Sequence, residues 1–428
     1  MINLKLYQGI TTALAPIASA YVWLKGIKEP SYREGLPERQ GIFSGPLEPG
    51  AIWIHAASMG EAKAAIPLVK AMMDRGDRVF VTTTTPAGRR VFLNAFEGAS
   101  LLAGQAYIPF DSPAATKRFI GTVRPKVAVL VELELWPNLL NELNKQNIPI
   151  AIISARLSCR SLNRYLRLGS LIRQSANCLS LVGTQTQADA ERFVELGVPS
   201  ERVQTLGSLK FDQKFDEDQL KRGRRLRLTI GSERPVWVAV SVREGEEKIV
   251  VAAHEKLREH YPSALLVIVP RHETQFASIA SWLPETKDSH VFWSAGNQVP
   301  SSAAFLIADV MGEVPVFLAA SDVAFVGGSL VPVGGHNPLE PAALGVPVLM
   351  GPYVRNFQQI DEILADAGGR LRVADTEQLA KSLIFLIGDA SERRQIGQRA
   401  AAVFSAHQGV CKRTAAAIFK VLSDQASD

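Results

Sequence analysis

Ten short apolar runs, each six or seven residues long and rich in β-branched side chains, recur between residues 51 and 351. Because the apolar character of each run is continuous rather than alternating, the runs predict strands of a parallel sheet that is covered on both faces. Segments with helical periodicity separate the runs, so the predicted class is α/β. The predicted strands are 51–56, 78–84, 126–132, 149–155 and 178–183 in the first half of the chain, and 235–241, 264–270, 303–309, 322–328 and 346–351 in the second.

The pattern is interrupted by the charged stretch FDQKFDEDQLKRGRRLRL, which begins at Phe211, and then restarts. A faint internal parallel relates the two halves, since WIHAASMGEAKAAIPLVKAM and WVAVSVREGEEKIVVAAHEKL each read as a strand, a small-residue loop, a Gly-Glu pair and a helix. A chain of 428 residues is also too long for one compact core. We therefore predict two doubly wound, Rossmann-like domains facing each other across a cleft, over residues 31–212 and 213–428.

The N-terminal segment has a different character. Residues 6–24 carry no charge and are flanked by lysines. The run is just long enough to span a bilayer, and Tyr21 and Trp23 fit an interfacial aromatic belt, although Pro16 weakens a spanning helix. The lack of a small-residue cleavage pattern argues against a removed signal peptide. Residues 1–30 are predicted to form a membrane anchor, either spanning or interfacial; the alternative is an apolar helix packed on the first domain.

Charge and cysteine content narrow the classes of partner. The chain has 47 Lys and Arg against 42 Asp and Glu, a net charge of +5 and a pI near 9.0, which is less basic than is typical of nucleic-acid-binding proteins. Anionic small molecules or an anionic membrane surface are the expected partners. The three cysteines are widely spaced, which fits neither a disulfide framework nor a zinc site and indicates a reducing, cytosolic setting.

The stretch AFVGGSLVPVGGHNPLEPAALG, residues 324–345, gives the clearest signal for phosphate binding. A strand ends in one glycine pair, a second pair follows at Gly334 and Gly335, and HNPLEP opens a helix with Asn337 as its N-cap and Pro338 in its first position. Backbone amides at such a helix start bind phosphate, and Glu340 is placed to accept hydrogen bonds from ribose hydroxyls. The alternative is a tight structural turn before a well-capped helix; Glu340 and His336 in the same loop favour nucleotide binding.

Other predicted strand ends in the second half point to the same place, because ligands of such sheets bind outside the carboxyl ends of the strands. Arg271 and His272 end one strand, and Gly312 and Glu313 follow another. A cation in this position suits a phosphate or a sugar acid, although a surface arginine is the plainer interpretation. The loop 241–247, SVREGEE, adds a helix N-terminus that could hold a second anion.

The informative residues of the first half are acidic. Glu61 follows the first predicted strand, and Glu132 and Glu134 follow the third, of which Glu132 is the preferred candidate because it is nearer the strand. A nucleotide-activated donor needs a group that deprotonates the acceptor, and a carboxylate is the usual one. Lys210, where the first domain ends, could stabilise negative charge. The plainer interpretations are that Glu61 stabilises a helix N-terminus, which should keep it ionised, and that Lys210 is solvated.

Taken in order, the motifs HAASMGE, TTTTPAG, VELELWPN, ARLS, GSLKFD, SVREGEE, VPRH, MGE and GGSLVPVGGHNPLEP resemble the transferases of 3-deoxy-D-manno-octulosonic acid (Kdo) over nearly the whole chain. The resemblance implies a GT-B fold, cytidine monophosphate–Kdo (CMP-Kdo) as donor, and lipid IVA, the lipid A precursor of lipopolysaccharide, as acceptor. It also implies an inverting reaction without cofactor or metal, at the cytoplasmic face of the inner membrane of a Gram-negative bacterium. Nucleic acid is not an expected partner.

Carried over position by position, the resemblance makes Glu61 the proton acceptor, and Glu132 and Lys210 transition-state stabilisers. It implies CMP binding by Pro270, Arg271, Met311, Gly312, Glu313, Asn337, Pro338, Leu339 and Glu340. Further candidates in the same loops are His272, Gly334, Gly335, His336 and Ser241.

Two basic stretches favour contact with a membrane. RSLNRYLRLGSLIR, residues 160–173, places Leu162, Leu166 and Ile172 among four arginines, and KRGRRLR, residues 221–227, adds further charge. Either stretch alone is more often a solvated helix face. Two other functions remain open at this point: a two-domain sugar-nucleotide 2-epimerase, which would have no use for an apolar N-terminus, and a membrane-tethered nucleotide-sugar binding protein, which would not need Glu61.

Overall fold

The computed structural model describes residues 3–45, 47–276, 279–283, 290–296 and 298–427. The chain divides into two compact units, one formed by Met1–Gln213 with Gly409–Asp428 and the other by Lys214–Gln408. Each unit is built on one seven-stranded sheet in which every pair of neighbouring strands is parallel. The predicted α/β class and the two doubly wound, GT-B-like sheets are therefore confirmed.

The sheet of the first unit has the order β3-β2-β1-β4-β5-β6-β7. Every side chain of β1, β2, β4 and β5 is buried, as their continuous apolar runs predict. Two strands escaped prediction, because one contains a glycine and is half buried and the other is a three-residue exposed edge. The strands are β1 Ile52–His55, β2 Val79–Thr83, β3 Leu102–Tyr107, β4 Val127–Val131, β5 Ile150–Ala155, β6 Leu181–Thr184 and β7 Val203–Thr205.

The helices of the first unit begin at strong sequence signals. Ser or Thr side chains cap the backbone of α2, α3, α4, α6 and α8, and proline occupies the first turn of α3, α4 and α5. These helices cover both faces of the sheet in two apolar clusters. Their bounds are α1 Leu4–Lys28, α2 Met59–Asp74, α3 Pro86–Ala95, α4 Pro113–Val123, α5 Pro137–Lys145, α6 Cys159–Leu166, α7 Ser170–Asn177 and α8 Gln187–Leu196.

The sheet of the second unit has the order β10-β11-β9-β8-β12-β13-β14. Its strands are β8 Val236–Val242, β9 Leu265–Pro270, β10 His290–Phe292, β11 Phe305–Ile307, β12 Val323–Val326, β13 Val348–Met350 and β14 Arg370–Arg372. Its helices are α9 Glu217–Ile230, α10 Glu247–His260, α11 Val314–Ala319, α12 Leu339–Ala343, α13 Gln358–Asp366, α14 Thr376–Gly388 and α15 Ala390–Ala406.

The last helix, α16 Val410–Ser427, packs with the first unit rather than with the second, to which the sequence prediction of 213–428 assigned it. Val410 and Ile418 are buried in the apolar cluster that covers one face of the first sheet. The Asp212 carboxylate accepts hydrogen bonds from the backbone of Gly409, at 2.7 Å, and of Cys411. An amphipathic pattern shows that a helix has an apolar face, but not which core that face covers.

Part of the first basic stretch faces the protein core, and contact of either stretch with a membrane stays a prediction. Residues 160–173 break at Gly169 into α6 and α7, and Leu162 and Ile172 are 5% and 1% exposed because they point into the core of the first unit. Residues 221–227 lie within α9, where Arg222 pairs with Glu313 and Arg227 pairs with Asp322. The prediction was wrong for Leu162 and Ile172, since apolar residues spaced along a basic helix can equally face a protein core.

Candidate functional site

Glu61 lies in the first turn of α2, just beyond the carboxyl end of β1, where the strand order of the first sheet reverses between β1 and β4. Ser58 and Glu61 form a capping box: Ser58 Oγ accepts from the Glu61 amide at 3.3 Å and donates to Glu61 Oε1 at 3.0 Å. Glu61 Oε2 accepts from the amides of Ala57, at 2.6 Å, and Ser58, at 3.3 Å. Because a carboxylate oxygen has two lone pairs, Oε1 keeps one for a further proton.

Burial and the negative charge of Glu132 raise the pKa of the Glu61 carboxyl, while the hydrogen bonds of the capping box oppose the rise. The sequence predicted that the dipole of α2 would lower this pKa and keep Glu61 ionised. Burial has the larger effect, so the pKa is raised instead. A raised pKa makes the carboxylate a stronger base. The geometry is compatible with both interpretations of Glu61, as a cap of α2 and as a catalytic base, because the residue forms the capping box and its carboxylate is half-buried.

Glu132 follows β4 with a φ of 66°, in the left-handed region that residues with a side chain seldom adopt. Its amide nevertheless extends the sheet by donating to Ile153 O at 2.9 Å. The carboxylate forms an ion pair with Lys210, with Nζ 2.8 Å from Oε1. Ser154 Oγ of β5 accepts from the amide of Leu209 at 2.9 Å and so fixes the segment that carries Lys210. Strain of this kind persists where the surrounding structure enforces it, often at functional sites.

Glu134 belongs to the same cluster, although the sequence analysis preferred Glu132. Its carboxylate accepts a hydrogen bond from Trp136 Nε1. Burial, followed by the charges of Glu61 and Glu132, raises the pKa of Glu134 to about 7 against the opposing hydrogen bond from Trp136. Three carboxylates with one lysine thus lie at the carboxyl ends of the central strands of the first sheet. The signal for Glu134 was present in the sequence, because two glutamates directly follow a buried strand.

The shifted pKa of Glu134 predicts a pH-dependent stability. Between its ordinary pKa of 4.5 and its folded value of about 7, the folded chain binds a proton that the unfolded chain has released. Stability therefore falls as the pH rises through this window. We expect Glu134→Gln to melt with the unmodified chain near pH 4 and about 5–10 °C higher at pH 8, measured by scanning calorimetry. The exposed Glu195→Gln is the control, and an equal shift at both pH values would contradict the assignment.

His55, at the end of β1, is a core residue. The side chain is fully buried, its Nδ1 lies 2.9 Å from Thr82 Oγ1, and burial lowers its pKa to about 3. A neutral, enclosed imidazole at this position supports the packing of the sheet.

In the second unit, the loop after β8 is anchored by a carboxylate that the sequence analysis did not single out. Glu246 is fully buried and accepts four backbone hydrogen bonds, from Arg243, Gly328, Ser329 and Leu330, at 2.7–3.0 Å. The amides that follow β12 are therefore occupied by an internal carboxylate. The amides of Gly335 and His336 donate to the carbonyls of Gly328 and Gly327, so they too are engaged within the loop.

These bonds revise the expected use of the glycine loop. Gly334 and Gly335 have φ values of 109° and 76°, and a Cβ at Gly334 would approach the Asn356 side chain to within 3.0 Å or less. The pairs therefore serve the tight turn and its packing. Helix α12 begins at Leu339 with Pro338 at its N-cap, one residue later than predicted, and Asn337 Oδ1 accepts from the Leu339 amide at 3.1 Å. The Leu339 amide at this short helix start is thus already engaged, and nucleotide binding by Asn337, Pro338 and Leu339 stays a prediction.

Positive charge near the ends of β8 and β9 comes from side chains instead. Arg243 Nη1 lies 2.7 Å from His272 Nε2, and Arg271 follows Pro270 at the end of β9. Burial lowers the pKa of Arg271, and the nearby Glu340 carboxylate opposes that effect. Burial, with the charges of Arg271 and Arg243, lowers the pKa of His336 to about 3. The structure thus brings Arg271, His272, His336 and Glu340 together, and adds Arg243, which the sequence analysis did not single out.

Four other predicted positions of the second unit lie in structural contacts or beside them. The Glu313 carboxylate accepts hydrogen bonds from both terminal nitrogens of Arg222, at 2.8 Å, and from Trp293 Nε1, at 3.3 Å. The carbonyl of Gly312 accepts a hydrogen bond from the Gln219 side chain. Met311 is 48% exposed beside them. Ser241 holds a φ of 57° at the end of β8, where its backbone closely approaches Gly327. Their part in binding CMP stays a prediction.

In residues 3–45, 47–276, 279–283, 290–296 and 298–427, no three His, Cys, Asp or Glu side chains are placed to hold a metal ion together. Asp216, in the one D-x-D sequence of the chain, caps α9 by accepting from the Asp218 amide at 2.9 Å.

Comparisons with known proteins agree with this picture. Residues 34–213 match the family model described as 3-deoxy-D-manno-octulosonic-acid transferase (kdotransferase). The chain is 34% identical over 412 residues to the 3-deoxy-D-manno-octulosonic acid transferase of Haemophilus influenzae, covering 95% of this chain and 96% of that protein. It is 35% identical to the transferase of the same name from Bordetella pertussis, covering 94% and 95%.

A solved structure shares the architecture at low identity. The UDP-GlcNAc 2-epimerase of Neisseria meningitidis bound to UDP-GlcNAc matches with a TM-score of 0.60 and 14% identity, covering 86% of this chain and all of that one. This likeness extends to the fold alone. The two parallel sheets place the chain in the GT-B class, which glycosyltransferases share with such epimerases.

Within that class, the sequence identity of 34–35% over nearly the full length of two relatives shows the family. The chain belongs to the 3-deoxy-D-manno-octulosonic acid transferases, and the resemblance read from its motifs is confirmed.

Proposed function

We propose that the chain transfers Kdo from CMP-Kdo to lipid IVA, with inversion at the anomeric carbon and with Glu61 as the general base. The observation that carries the proposal is the cluster of Glu61, Glu132 and Lys210 at the switch point of the first sheet, in a chain that belongs to the Kdo transferase family. Ligands of open α/β sheets bind at such a point.

In the proposed reaction, a hydroxyl of the acceptor attacks the anomeric carbon of Kdo. The new bond joins the acceptor oxygen to that carbon, the bond from the carbon to the phosphate oxygen of CMP breaks, and its electron pair leaves with CMP. The hydroxyl proton goes to Glu61, whose Oε1 keeps a free lone pair beside the Ser58 hydroxyl. A single displacement of this kind inverts the anomeric centre.

Lys210 and Glu132 have complementary roles in this scheme. The Lys210 ammonium offers positive charge to the developing anion, and Glu132 holds it in place at 2.8 Å. The negative charge of Glu132 raises the pKa of Glu61. Because Lys210 pairs with Glu132, its positive charge offsets part of that negative charge. Loss of the lysine would leave two unbalanced carboxylates next to the base.

The donor is proposed to bind in the second unit, where Arg271, Arg243 and His272 supply donors for the phosphate of CMP and the sugar acid of Kdo. Glu340, close enough to Arg271 to shift its pKa, is placed to accept hydrogen bonds from the ribose. CMP leaves with one phosphate, and arginines can screen its charge. This scheme needs no cofactor.

An assay of CMP release separates this function from the two rivals. We expect CMP to be released from CMP-Kdo in the presence of lipid IVA and to be released far more slowly without it. A nucleotide-sugar binding protein would release no CMP in either case, and an epimerase would change the sugar without consuming an acceptor. Release that is independent of the acceptor would contradict the transferase proposal.

Helix α1 supports membrane attachment in the plane of the interface. It is the one helix in the described part of the chain that is long and apolar enough to cross a bilayer. Its polar side chains are nevertheless bound to the first unit, through Tyr7 to Asp111 at 2.8 Å, Thr11 to Asn138 at 2.9 Å, and Ser19 to Gln40 at 2.6 Å. A helix held over this length lies along its unit, and its outer face remains exposed at Ile10, Leu14, Ile17, Tyr21 and Leu24. We propose that this face enters the cytoplasmic leaflet of the inner membrane.

Negative charge introduced on the exposed apolar face of α1 should release the protein from lipid vesicles. We expect Leu14→Glu and Ile17→Glu each to lower partitioning onto anionic vesicles by about tenfold or more, because each places a carboxylate among acyl chains. Co-sedimentation with phosphatidylglycerol-containing vesicles measures the effect. Leu93→Glu, an equally exposed apolar position on α3, is the control that should bind as the unmodified chain does. Equal losses at Leu93 and Ile17 would contradict the assignment.

A further inference from the structure

A cavity of about 260 Å³ lies in the first unit between α1 and the loops at the carboxyl ends of β2, β3 and β4. Its lining is mostly apolar, and its polar side chains include Lys25, Arg39 and Tyr32, which the proposed reaction does not use. The volume is below the 300–1,000 Å³ that is usual for a complete small-molecule site, so the cavity suits one part of a larger ligand.

Arg39 is the unusual member of this lining. The side chain is 4% exposed, its Nη2 donates to Thr84 O at 2.8 Å, and its guanidinium lies 4.1 Å from the centre of the Tyr107 ring. Its buried Nε has no hydrogen-bond partner, and among the described residues no carboxylate lies within ion-pairing distance of the guanidinium. A buried cation without a hydrogen-bonded anion is costly, and arginine is the residue best suited to a phosphate.

The acidic group in the lining does not supply that anion. Asp111 Oδ1 accepts from the Leu139 amide at 2.9 Å, and Oδ2 accepts from Tyr7 Oη and the Asn138 amide at 2.8 and 3.2 Å. Its two oxygens therefore hold α1 and the start of α5 to the unit. Neighbouring Glu38 is likewise engaged with Arg89, at 2.9 Å, and with the Tyr107 amide, at 2.8 Å.

Two residues of the cavity lining are linked to the catalytic cluster by hydrogen bonds. Thr84, which accepts from Arg39, donates its amide to Ala57 O at 3.1 Å, and the Ala57 amide donates to Glu61 at 2.6 Å. Across the cavity, Trp136 donates to Glu134. A ligand in the cavity is therefore close to the proposed base, and Tyr21, Val22 and Lys25 of the lining belong to the helix whose outer face is proposed to contact lipid.

Resting on the proposed function, we propose that this cavity binds a phosphate-bearing sugar of the acceptor lipid, with Arg39 as the cation that pairs with the phosphate. The apolar lining from Val22, Ile108 and Phe110 contacts the sugar face and the first part of the acyl chains. The phosphate belongs to the acceptor rather than to a bilayer phospholipid, because the lining residues Thr84 and Trp136 are hydrogen-bonded to the segments that carry the proposed catalytic carboxylates.

The test compares lipid IVA with its dephosphorylated form, using CMP-Kdo as donor. We expect Arg39→Met to raise the KM for lipid IVA about tenfold to a hundredfold, the range for a lost charge-assisted hydrogen bond. The KM for CMP-Kdo should not change. With the dephosphorylated acceptor, the variant and the unmodified chain should behave alike, because the group that Arg39 recognises is missing from the substrate.

A second variant covers the case in which Arg39→Met does not fold. Val22→Trp fills the cavity and should raise the KM for lipid IVA in the same way, while Val194→Trp on the exposed face of α8 should not. The assignment would be overturned if Arg39→Met raised the KM for lipid IVA and the KM for its dephosphorylated form equally. An unchanged KM for lipid IVA in Val22→Trp would also overturn it. Reduced vesicle binding at unchanged KM would assign the cavity to membrane phospholipid and overturn it as well. If the unmodified chain transfers to neither acceptor, the proposed function itself is wrong and the cavity assignment is lost with it.

Discussion

Replacing Glu61 by glutamine is expected to lower the rate of Kdo transfer at saturating substrate about a hundredfold to ten-thousandfold, the usual contribution of a general base. Glutamine keeps the hydrogen-bonding shape of the capping box with Ser58, so α2 should still begin where it does. The variant lacks only the basic oxygen. CMP binding, measured by calorimetry, should stay within about twofold, because a base is not expected to contribute to nucleotide affinity.

The matched control removes the cap and keeps the carboxylate. Ser58→Ala should destabilise the first unit by about 1 kcal/mol, as loss of an N-cap does, and change the transfer rate only a few-fold. If Ser58→Ala lowers transfer as much as Glu61→Gln does, Glu61 acts only through the start of α2. Full transfer by Glu61→Gln would exclude it as the base.

Replacing Arg271 by methionine is expected to weaken CMP binding about tenfold to a hundredfold, because a half-buried guanidinium that pairs with phosphate contributes strongly to affinity. The KM for CMP-Kdo should rise in proportion, and the KM for the lipid acceptor should stay the same. Isothermal calorimetry with CMP measures the first effect and steady-state kinetics the second.

A matched arginine distinguishes this local effect from a general loss of positive charge. Arg225→Met lies on the exposed side of α9 and should leave CMP affinity unchanged. A second consequence follows at His336, whose pKa is lowered by burial and then by the charge of Arg271. In Arg271→Met the pKa of His336 should rise, which titration of the imidazole resonance would detect. Unchanged CMP affinity in Arg271→Met would place the nucleotide elsewhere.

The sequence was informative about the fold where burial is complete on both faces of a strand. Strands β1, β4 and β5 were predicted because every side chain in them except His55 is apolar or small. Their order in the sheet then places Glu61 and Glu132 at one edge. Strand β7, an exposed three-residue edge, has no such pattern. Helix α16 was predicted as a helix but assigned to the wrong unit, since its partner core is remote in sequence.

The candidate site could be predicted as residue types but not as contacts. Glycine pairs after β12 suggest a phosphate loop, yet the buried Glu246, more than eighty residues away in the chain, accepts the amides of Gly328 and Ser329. No local pattern reveals that an amide is already satisfied by a distant carboxylate. The same applies to Arg39, which contacts Thr84 and Tyr107, both remote in sequence, while its Nε stays unpaired.

Mass spectrometry of the lipid after incubation with CMP-Kdo and lipid IVA tests the central claim most directly. The account predicts that lipid IVA gains the mass of at least one Kdo residue with the unmodified chain, and that it keeps its original mass with Glu61→Gln over the same time. Lipid IVA that gains no Kdo with the unmodified chain, or that gains it equally with Glu61→Gln, would contradict the account.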